Sequence, residues 1–180
     1  MFSVGYKNTR IGIVAPLLWL CAGYAAAADA PGPVKIAVFP FELEDLGPAS
    51  KGGEAPHLAQ STQEARKQLA DSGRYTLVDT AAADMSAAKG QALRDCGGCE
   101  AAIARKLGAD QALIGVVSKI SNTEYLIKLQ ISDARSGEVI TRLASELRMG
   151  ADYSWSRGVR SVIQNNLLPA QAAQSAAAEK

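Results

Sequence analysis

Two cysteines separated by two glycines, Cys96-Gly97-Gly98-Cys99, are the residues of this 180-residue chain best suited to chemistry. Cysteines at this spacing can form a disulfide, exchange thiols with a substrate, or bind a metal ion through their thiolates. In an oxidising compartment, such a pair most simply forms one disulfide. The closed ring is small, so its stabilisation should fall below the ~3 kcal/mol expected for a ~15-residue loop. The sequence therefore predicts a disulfide that pins a local turn.

A thiol-disulfide oxidoreductase is the main alternative, because a helix beginning near Ala101 would stabilise a thiolate at its N-terminus. Two features oppose this interpretation. The preceding segment, 89–94, does not have the pattern of an apolar strand, and Pro169, the only proline downstream of the cysteines, lies beyond the last predicted strand. Such enzymes place a cis-proline from a downstream position beside the cysteines. Metal capture and a regulatory switch are further alternatives for the pair.

Other catalytic and cofactor chemistry lacks matching residues in the sequence. Glu100 follows the second cysteine, where covalent haem attachment requires histidine. Zinc would need two more ligands, and His57 is the sole histidine. We find no Ser-His-Asp set, no defensible pair of carboxylates and no glycine-rich phosphate loop after a strand. The sequence therefore predicts a protein that is not an enzyme and that carries neither a metal nor a cofactor.

A second group of polar and aromatic residues surrounds the start of the last predicted helix. Its members are Arg148, Asp152, Ser154, Trp155 and Arg157. In a structural interpretation, Asp152 caps the helix and Trp155 anchors it in the core. In a functional interpretation, the group forms a partner-binding edge, because Trp and Arg are the usual anchors of protein interfaces. Both interpretations are open at this level.

Hydrophobic periodicity predicts the elements that position both groups. The predicted order is β-α-β-α-β-β-β-α, an α+β fold with a mixed sheet of about five strands and helices mainly on one face. The predicted strands span 34–39, 75–79, 111–120, 124–133 and 138–148, and the predicted helices span 54–71, 101–107 and 153–168. The glycine-containing, charged segment 42–53 is predicted to be a surface loop.

The first 28 residues have the three parts of a cleaved secretory signal peptide. Lys7 and Arg10 precede an apolar stretch, and a run of small residues ends at Ala28. An uncleaved membrane anchor across 11–28 and lipidation at Cys21 are the alternatives. The sequence thus predicts a periplasmic protein without a membrane attachment after cleavage.

The remaining chain reads as one domain with short flanking segments. A content of 48% hydrophobic and 21% charged residues suffices to bury a core. The 19 Lys and Arg residues nearly balance the 18 Asp and Glu residues, which gives no reason to expect nucleic acid or an anionic membrane as a partner. After the signal peptide, the predicted divisions are a lead at 29–33, a single α/β domain at 34–168 and a disordered tail at 169–180.

Four stretches resemble, in order and spacing, a family of short secreted proteobacterial proteins that is catalogued as a domain of unknown function. These stretches are 36–42 (Ile-Ala-Val-Phe-Pro-Phe-Glu), 71–79 (Asp-Ser-Gly-Arg-Tyr-Thr-Leu-Val-Asp), 96–110 (from Cys-Gly-Gly-Cys-Glu to Leu-Gly-Ala-Asp) and 154–158 (Ser-Trp-Ser-Arg-Gly). The resemblance covers about 34–168. Such proteins usually carry Arg-Gly-Asn or Arg-Gly-Asp after the last strand, whereas this chain has Arg148-Met149-Gly150.

The family is in turn distantly similar to the N-terminal domain of the translocation protein TolB, to the curli secretion-channel lipoprotein, and to lipoprotein activators of the penicillin-binding cell-wall synthases. This similarity implies a small α/β sandwich that docks on an envelope protein partner and lacks catalytic residues. An association of the family with periplasmic quinoprotein alcohol dehydrogenases implies an accessory role. The hypothesis is a non-catalytic periplasmic interaction or accessory module, with a thiol-disulfide redox protein and a small-ligand carrier as alternatives.

Overall fold

The computed structural model describes residues 1–2, 32–47 and 52–178, so that almost all of the predicted signal peptide and most of the predicted lead lie outside the described residues. The strands are β1 (Val34–Val38), β2 (Glu42–Asp45), β3 (Tyr75–Val78), β4 (Gln111–Lys119), β5 (Glu124–Asp133), β6 (Val139–Ala144) and β7 (Arg148–Met149). The helices are α1 (Ala55–Asp71), α2 (Cys99–Lys106), α3 (Trp155–Val162) and α4 (Leu168–Ala178).

The strands form one mixed sheet whose main order is β3-β1-β4-β5-β6. β1 is parallel to both β3 and β4, so that β1, α1 and β3 make the parallel crossover that the sequence favours. β4, β5 and β6 follow as an antiparallel meander. The short strands β2 and β7 pair with β4 and β5 outside the main order. The predicted α+β class is confirmed, with two strands more than the five expected.

Strand β2 corrects the prediction of a surface loop at 42–53. Its sequence, Glu-Leu-Glu-Asp, is mostly acidic, and acidic residues are depleted in strands. Tertiary pairing overrides this preference, because β2 lies parallel to the second half of β4. The Glu44 carboxylate also accepts hydrogen bonds from Lys128 Nζ, at 2.7 Å, and from Ser118 Oγ. The hydrogen bond from Lys128, and to a lesser extent that from Ser118, lowers the pKa of Glu44, although burial opposes this shift.

The larger core lies between one face of the sheet and helices α1 and α3. Alternate residues of β5 face this core, as the sequence predicts: Tyr125, Ile127, Leu129 and Ile131. Each large aliphatic side chain buried in this way stabilises the fold by roughly 1.5–3 kcal/mol. The two helices are joined at their surface by Arg160, whose guanidinium binds both carboxylate oxygens of Glu64, at 2.7 and 3.0 Å. The hydrogen bond from Arg160 lowers the pKa of Glu64 although burial opposes it.

A smaller core covers the opposite face of the sheet. Ile103 and Ala104 of α2 pack there with Leu93 and with Phe39, which follows β1. The helices are thus mainly on one face, as predicted, while short α2 covers part of the other. The remainder of that second face, towards β6, has no helix over it in the described part of the chain.

The last helical segment is longer than the sequence predicts. A five-residue π-helical turn, Ile163–Leu167, follows α3, and α4 then continues to Ala178. Pro169 therefore lies inside the helical segment instead of ending it. Proline has no backbone N–H to donate to the preceding helical turn. The π-helical turn directly before Pro169 has a wider hydrogen-bonding pattern than an α-helix, and the helical segment continues past this position. Residues 169–178, assigned to the tail by sequence, are helical.

Candidate functional site

The structure contains the disulfide between Cys96 and Cys99, with their Cα atoms 5.6 Å apart. A short 3₁₀ turn, Leu93–Asp95, precedes the pair, and α2 begins at Cys99 itself. Gly97 and Gly98 have φ angles of 68° and 101°, a left-handed conformation that glycine adopts without steric cost. The two glycines therefore allow the chain to reverse within the ring and to enter α2 at the second cysteine.

Glu100 is a buried carboxylate directly beside this disulfide, with only 1% of its surface exposed. Its Oε1 atom accepts hydrogen bonds from Ser132 Oγ at 2.9 Å and from Gln130 Nε2 at 3.2 Å, both on β5. Its Oε2 atom lies 3.8 Å from Cys96 Sγ. A carboxylate removed from water needs such donors, because burial without them is costly. Glu100 thus connects the disulfide to the sheet.

The surroundings of the disulfide favour a structural bond over thiol exchange. The N-terminus of α2 would stabilise a thiolate, but the Glu100 carboxylate beside Cys96 would repel one. The segment before Cys96 is a 3₁₀ turn instead of a strand. With the disulfide formed, the two sulfurs and a Glu100 oxygen lie within 4.8 Å of one another, and these three atoms are one ligand short of a tetrahedral zinc site.

Trp155 is a core residue and corrects the hypothesis of an interface anchor. Its side chain is 1% exposed, and its ring centroid lies 6.2 Å from that of His57 and 6.5 Å from that of Tyr125. Val159 and Val162 follow it at helical spacing on the same side of α3, and both are fully buried. The indole therefore fixes α3 to the sheet and cannot contact a partner in this fold.

The residues on either side of Trp155 also serve the packing of α3. Ser154 is 5% exposed; its Oγ donates to the carbonyl oxygen of Ala151 at 2.7 Å, and its own carbonyl oxygen accepts from the Tyr125 hydroxyl at 3.2 Å. A Cβ atom at Gly158 would lie 3.0 Å from the Tyr125 side chain. The Ser-Trp-Ser-Arg-Gly run is therefore largely a packing motif.

Asp152 contacts a buried lysine and does not cap α3 with its side chain. Lys119 is 6% exposed, and its Nζ atom lies 3.0 Å from Glu54 Oε1 and 3.6 Å from Asp152 Oδ2. Burial lowers the pKa of Lys119, but the hydrogen bond to Glu54 and the negative charges of Asp152 and Glu54 outweigh burial and raise the pKa above its usual value. This cluster joins the end of β4, the start of α1 and the turn before α3.

Arg157 is the exposed member of the predicted group, whereas Arg148 and Asp152 are half-buried. Arg148 Nη2 donates to Ser161 Oγ at 2.9 Å. The Arg157 guanidinium lies 5.9 Å from the ring centroid of Tyr153, within the range of a cation–π contact. Both arginines line a shallow depression of about 380 Å³ at the start of α3.

Large apolar side chains are exposed along this same edge of the sheet. In residues 32–47 and 52–173 there are seven exposed large apolar side chains, and five of them lie on β6, on β7 or beside them. We call these five residues, together with the two arginines, the edge surface: Val139, Ile140, Leu147, Arg148, Met149, Tyr153 and Arg157. The most exposed are Met149 at 72% and Tyr153 at 65%. Strand β6 also ends the sheet, so that one side of its backbone has no strand partner among the described residues.

Sequence periodicity found only part of the edge surface. It placed Val139 and Leu147 on one face of a single strand spanning 138–148. In the structure, β6 stops at Ala144, because Ser145 closes the ladder with two hydrogen bonds to the backbone of Ile127, at 2.8 and 3.0 Å. Leu147 then lies exposed between β6 and β7, and Arg148 and Met149 pair with the other end of β5. The signal that could have located them is a polar serine that interrupts an otherwise regular alternation.

The fold and its edge define a small α+β domain without a constellation of catalytic side chains in its described part. The chain belongs to the family DUF3280, described as "Protein of unknown function (DUF2380)", whose model matches residues 34–167. This match confirms the family resemblance that the sequence motifs indicate, over nearly the same span. No curated protein matches the chain.

The chain is also similar to several solved structures. The LpoB C-terminal domain from Escherichia coli is 22% identical, with 67% of this chain and 86% of that chain covered and a TM-score of 0.47. Lipoprotein GNA1162 from Neisseria meningitidis is 19% identical, with 80% and 97% covered and a TM-score of 0.46. TolB from Acinetobacter baumannii is 17% identical, with 78% and 29% covered and a TM-score of 0.44. Separately, no helix within the described ranges is long and apolar enough to cross a membrane.

Proposed function

We propose that this chain is a non-catalytic interaction module of the cell envelope, which docks on a protein partner through the edge surface. The observation that carries the proposal is that five exposed apolar side chains lie along one edge of the sheet, two on β6 and three beside the two arginines. Exposed apolar surface rimmed by polar residues, such as that of Leu147, Met149 and Tyr153 beside the arginines, marks protein–protein interaction sites. Arginine is enriched in protein interfaces because its planar guanidinium can bind carboxylates and also stack on aromatic rings.

The mode of docking follows from the position of the edge surface. Strand β6 leaves one side of its backbone without a strand partner, so that an extended segment of the partner can add to the sheet there. The side chains of Leu147, Met149 and Tyr153 would contact apolar residues of the partner. Arg148 and Arg157 favour a partner with carboxylates at the border of the contact.

The cellular setting of the proposal is the periplasm. The signal-peptide pattern of residues 1–28 and the family resemblance of the sequence support this location. The association of the family with quinoprotein alcohol dehydrogenases supports a periplasmic dehydrogenase system as the process that the module assists. In this proposal the chain contributes no catalytic residue and acts by binding.

A thiol-disulfide redox protein is the second candidate function, and one observation favours it. The Cys96–Cys99 disulfide is partly exposed and lies at the N-terminus of α2, a position that stabilises a thiolate. The nearby Glu100 carboxylate opposes the same thiolate, so that we rank this candidate below the interaction module. The reduction potential of the pair separates the two candidates.

The size of the complex that the protein forms in envelope extracts tests the docking proposal. We compare the wild type with the double variant Leu147→Ser/Met149→Ser. Met85→Ser is the matched control, because Met85 is 44% exposed but lies away from β6 and β7, on a 3₁₀ turn that contacts α2. Wild type and control should migrate in one larger complex, and the double variant should migrate as the free protein. Identical migration of all three forms would contradict docking through the edge surface.

A further inference from the structure

We infer that a second site, on the sheet face opposite the larger core, binds a carboxylate carried by an apolar group. The site is a cleft of about 430 Å³ between the turn before α2 and strand β6, on the part of this face that α2 leaves uncovered. We call it the charged cleft and define it by Arg94, Ile114, Val116, Lys128, Gln130 and Arg142. This inference does not depend on the edge surface or on the docking proposal.

The register of the sheet places the apolar and polar residues of the charged cleft side by side. Ile114 and Val116 alternate on β4 and form its floor. On β5 they pair with Gln130 and Lys128, and on β6 Gln130 pairs in turn with Arg142. An apolar strip is therefore bordered by a row of polar side chains that point to the same face. A ligand with an apolar body and a polar end matches this layout.

One cation of the charged cleft lacks a carboxylate partner. Arg94 lies 3.1 Å from Glu42 Oε2, and Lys128 lies 2.7 Å from Glu44 Oε2, so that both of these charges are neutralised. Arg142 is exposed, and within the described part of the chain no carboxylate lies within ion-pair distance of it. Its guanidinium therefore offers an uncompensated positive charge at the border of the cleft.

Arg142 is nevertheless held in place, by a neutral side chain. Its Nε atom donates to Gln130 Oε1 at 2.9 Å. The amide of Gln130 is oriented in turn, because its Nε2 atom donates to the buried Glu100 carboxylate at 3.2 Å. This arrangement fixes the guanidinium without neutralising it and leaves its terminal N–H groups for a ligand. A planar guanidinium with free N–H groups binds a carboxylate through two parallel hydrogen bonds.

The charges around the cleft also limit which anion fits. Glu44 and Asp95 line the same cleft but are paired with Lys128 and Arg94, so that, among the described residues, Arg142 offers the one unpaired positive charge of the cleft and would not balance an anion with several charges, such as a phosphate ester. A single carboxylate can bind Arg142 at one border while keeping away from these acids. The carboxylate can come from a free organic acid or from the C-terminus of a peptide, since both present the same group on an apolar body.

Calorimetric titration of the mature protein tests the charged cleft with three probes. The probes are 4-phenylbutyrate, the matching neutral 4-phenylbutyramide, and the dipeptide acetyl-Leu-Phe with a free C-terminal carboxylate. Each is titrated into the wild type, into Arg142→Gln, and into Arg135→Gln, in which an exposed arginine outside the cleft is replaced. Thermal unfolding of each variant checks that the fold is retained.

We expect both carboxylates to bind the wild type and Arg135→Gln alike. Arg142→Gln should weaken their binding by roughly tenfold or more, because a hydrogen-bonded charge contact is lost. The neutral 4-phenylbutyramide should bind all three proteins with the same affinity, no more tightly than the carboxylates bind Arg142→Gln. Tighter binding of the dipeptide than of phenylbutyrate identifies a peptide C-terminus as the natural source, and the reverse order identifies an organic acid. Equal binding of acid and amide, an unchanged affinity in Arg142→Gln, or no binding at millimolar probe would overturn the inference.

Discussion

Gly158 of α3 lies directly against the side chain of Tyr125 on β5, so closely that a Cβ atom on the glycine would be 3.0 Å from the tyrosine. This contact sets the distance between α3 and the sheet. Trp155, one turn earlier, fills the space beside it. The motif that looks most like a recognition sequence is thus mainly responsible for packing.

Replacing Gly158 with alanine should destabilise the fold by about 1–3 kcal/mol, because the added methyl group overpacks the helix–sheet contact. In an exposed helix the same change would stabilise by up to about 1 kcal/mol, so that the sign of the effect is informative. Urea unfolding measures the free energy, with Ser156→Ala in the same helix as the control. A variant as stable as the wild type would show that the contact is not tight.

Removing the Glu100 side chain should also destabilise the protein. Glu100→Ala leaves the buried hydroxyl of Ser132 without its acceptor, and an unsatisfied buried polar group costs about 1–3 kcal/mol. The control, Glu138→Ala, removes an exposed carboxylate and should change the free energy of unfolding by no more than about 0.5 kcal/mol. Equal stability of the two variants in urea would argue against a structural role for Glu100.

Lys119 should contribute more to the free energy of unfolding than Glu100 does, and its contribution should depend on pH. Lys119→Met removes the ammonium that the buried Glu54 carboxylate binds, and breaking such a pair costs about 3–5 kcal/mol. Because folding raises the pKa of Lys119, its contribution is fully present below the unfolded pKa of about 10.4 and is lost as the pH rises through the higher folded pKa.

Urea unfolding of the wild type and Lys119→Met from pH 8 to pH 11 measures this dependence. The difference in free energy between the two proteins should be constant near pH 8 and should shrink above about pH 10.4. The double variant Lys119→Met/Glu54→Met, which removes both charges of the pair, should recover much of the loss. A difference that grows with pH would contradict the assigned direction of the pKa shift.

The Cys96–Cys99 disulfide should behave as a local structural bond. Cys96→Ser/Cys99→Ser should lower the free energy of unfolding by less than ~3 kcal/mol, because the bond closes a very small ring. Thiol trapping across a graded glutathione buffer measures the reduction potential. We expect a bond that resists this buffer, whereas a potential near those of known oxidoreductases and a reactive thiol would favour the redox candidate.

The sequence predicts most of the sheet correctly because its strands follow simple periodicities. β5 alternates apolar and polar residues from Ile127 to Ser132, and the apolar residues of this alternation do face the larger core. Strand β2 escapes prediction because its acidic residues gain their stability from Lys128 and Ser118, which are distant in sequence. The strand propensities of neighbouring residues carry no information about partners that are distant in sequence.

The candidate site was less predictable, because its properties depend on exposure and on contacts across the sheet. Trp155 and Arg157 are two residues apart, yet one is buried and the other exposed. A helical pattern supports either placement of Trp155 until the position of the sheet is known. The role of Glu100 likewise depends on two β5 side chains more than two dozen residues away. The residue types indicated the region of the candidate site, but only the fold could separate its packing residues from its surface residues.

Site-specific photocrosslinking in living cells of the native host tests the central claim most directly. A benzophenone amino acid replaces Met149 or Ile140 on the edge surface, and Met85, on the 3₁₀ turn that contacts α2, serves as the exposed apolar control away from this edge. The docking proposal predicts that Met149 and Ile140 yield the same adduct with one envelope protein, and that Met85 does not. Adducts of equal yield at all three positions, or an adduct from Met85 alone, would contradict it.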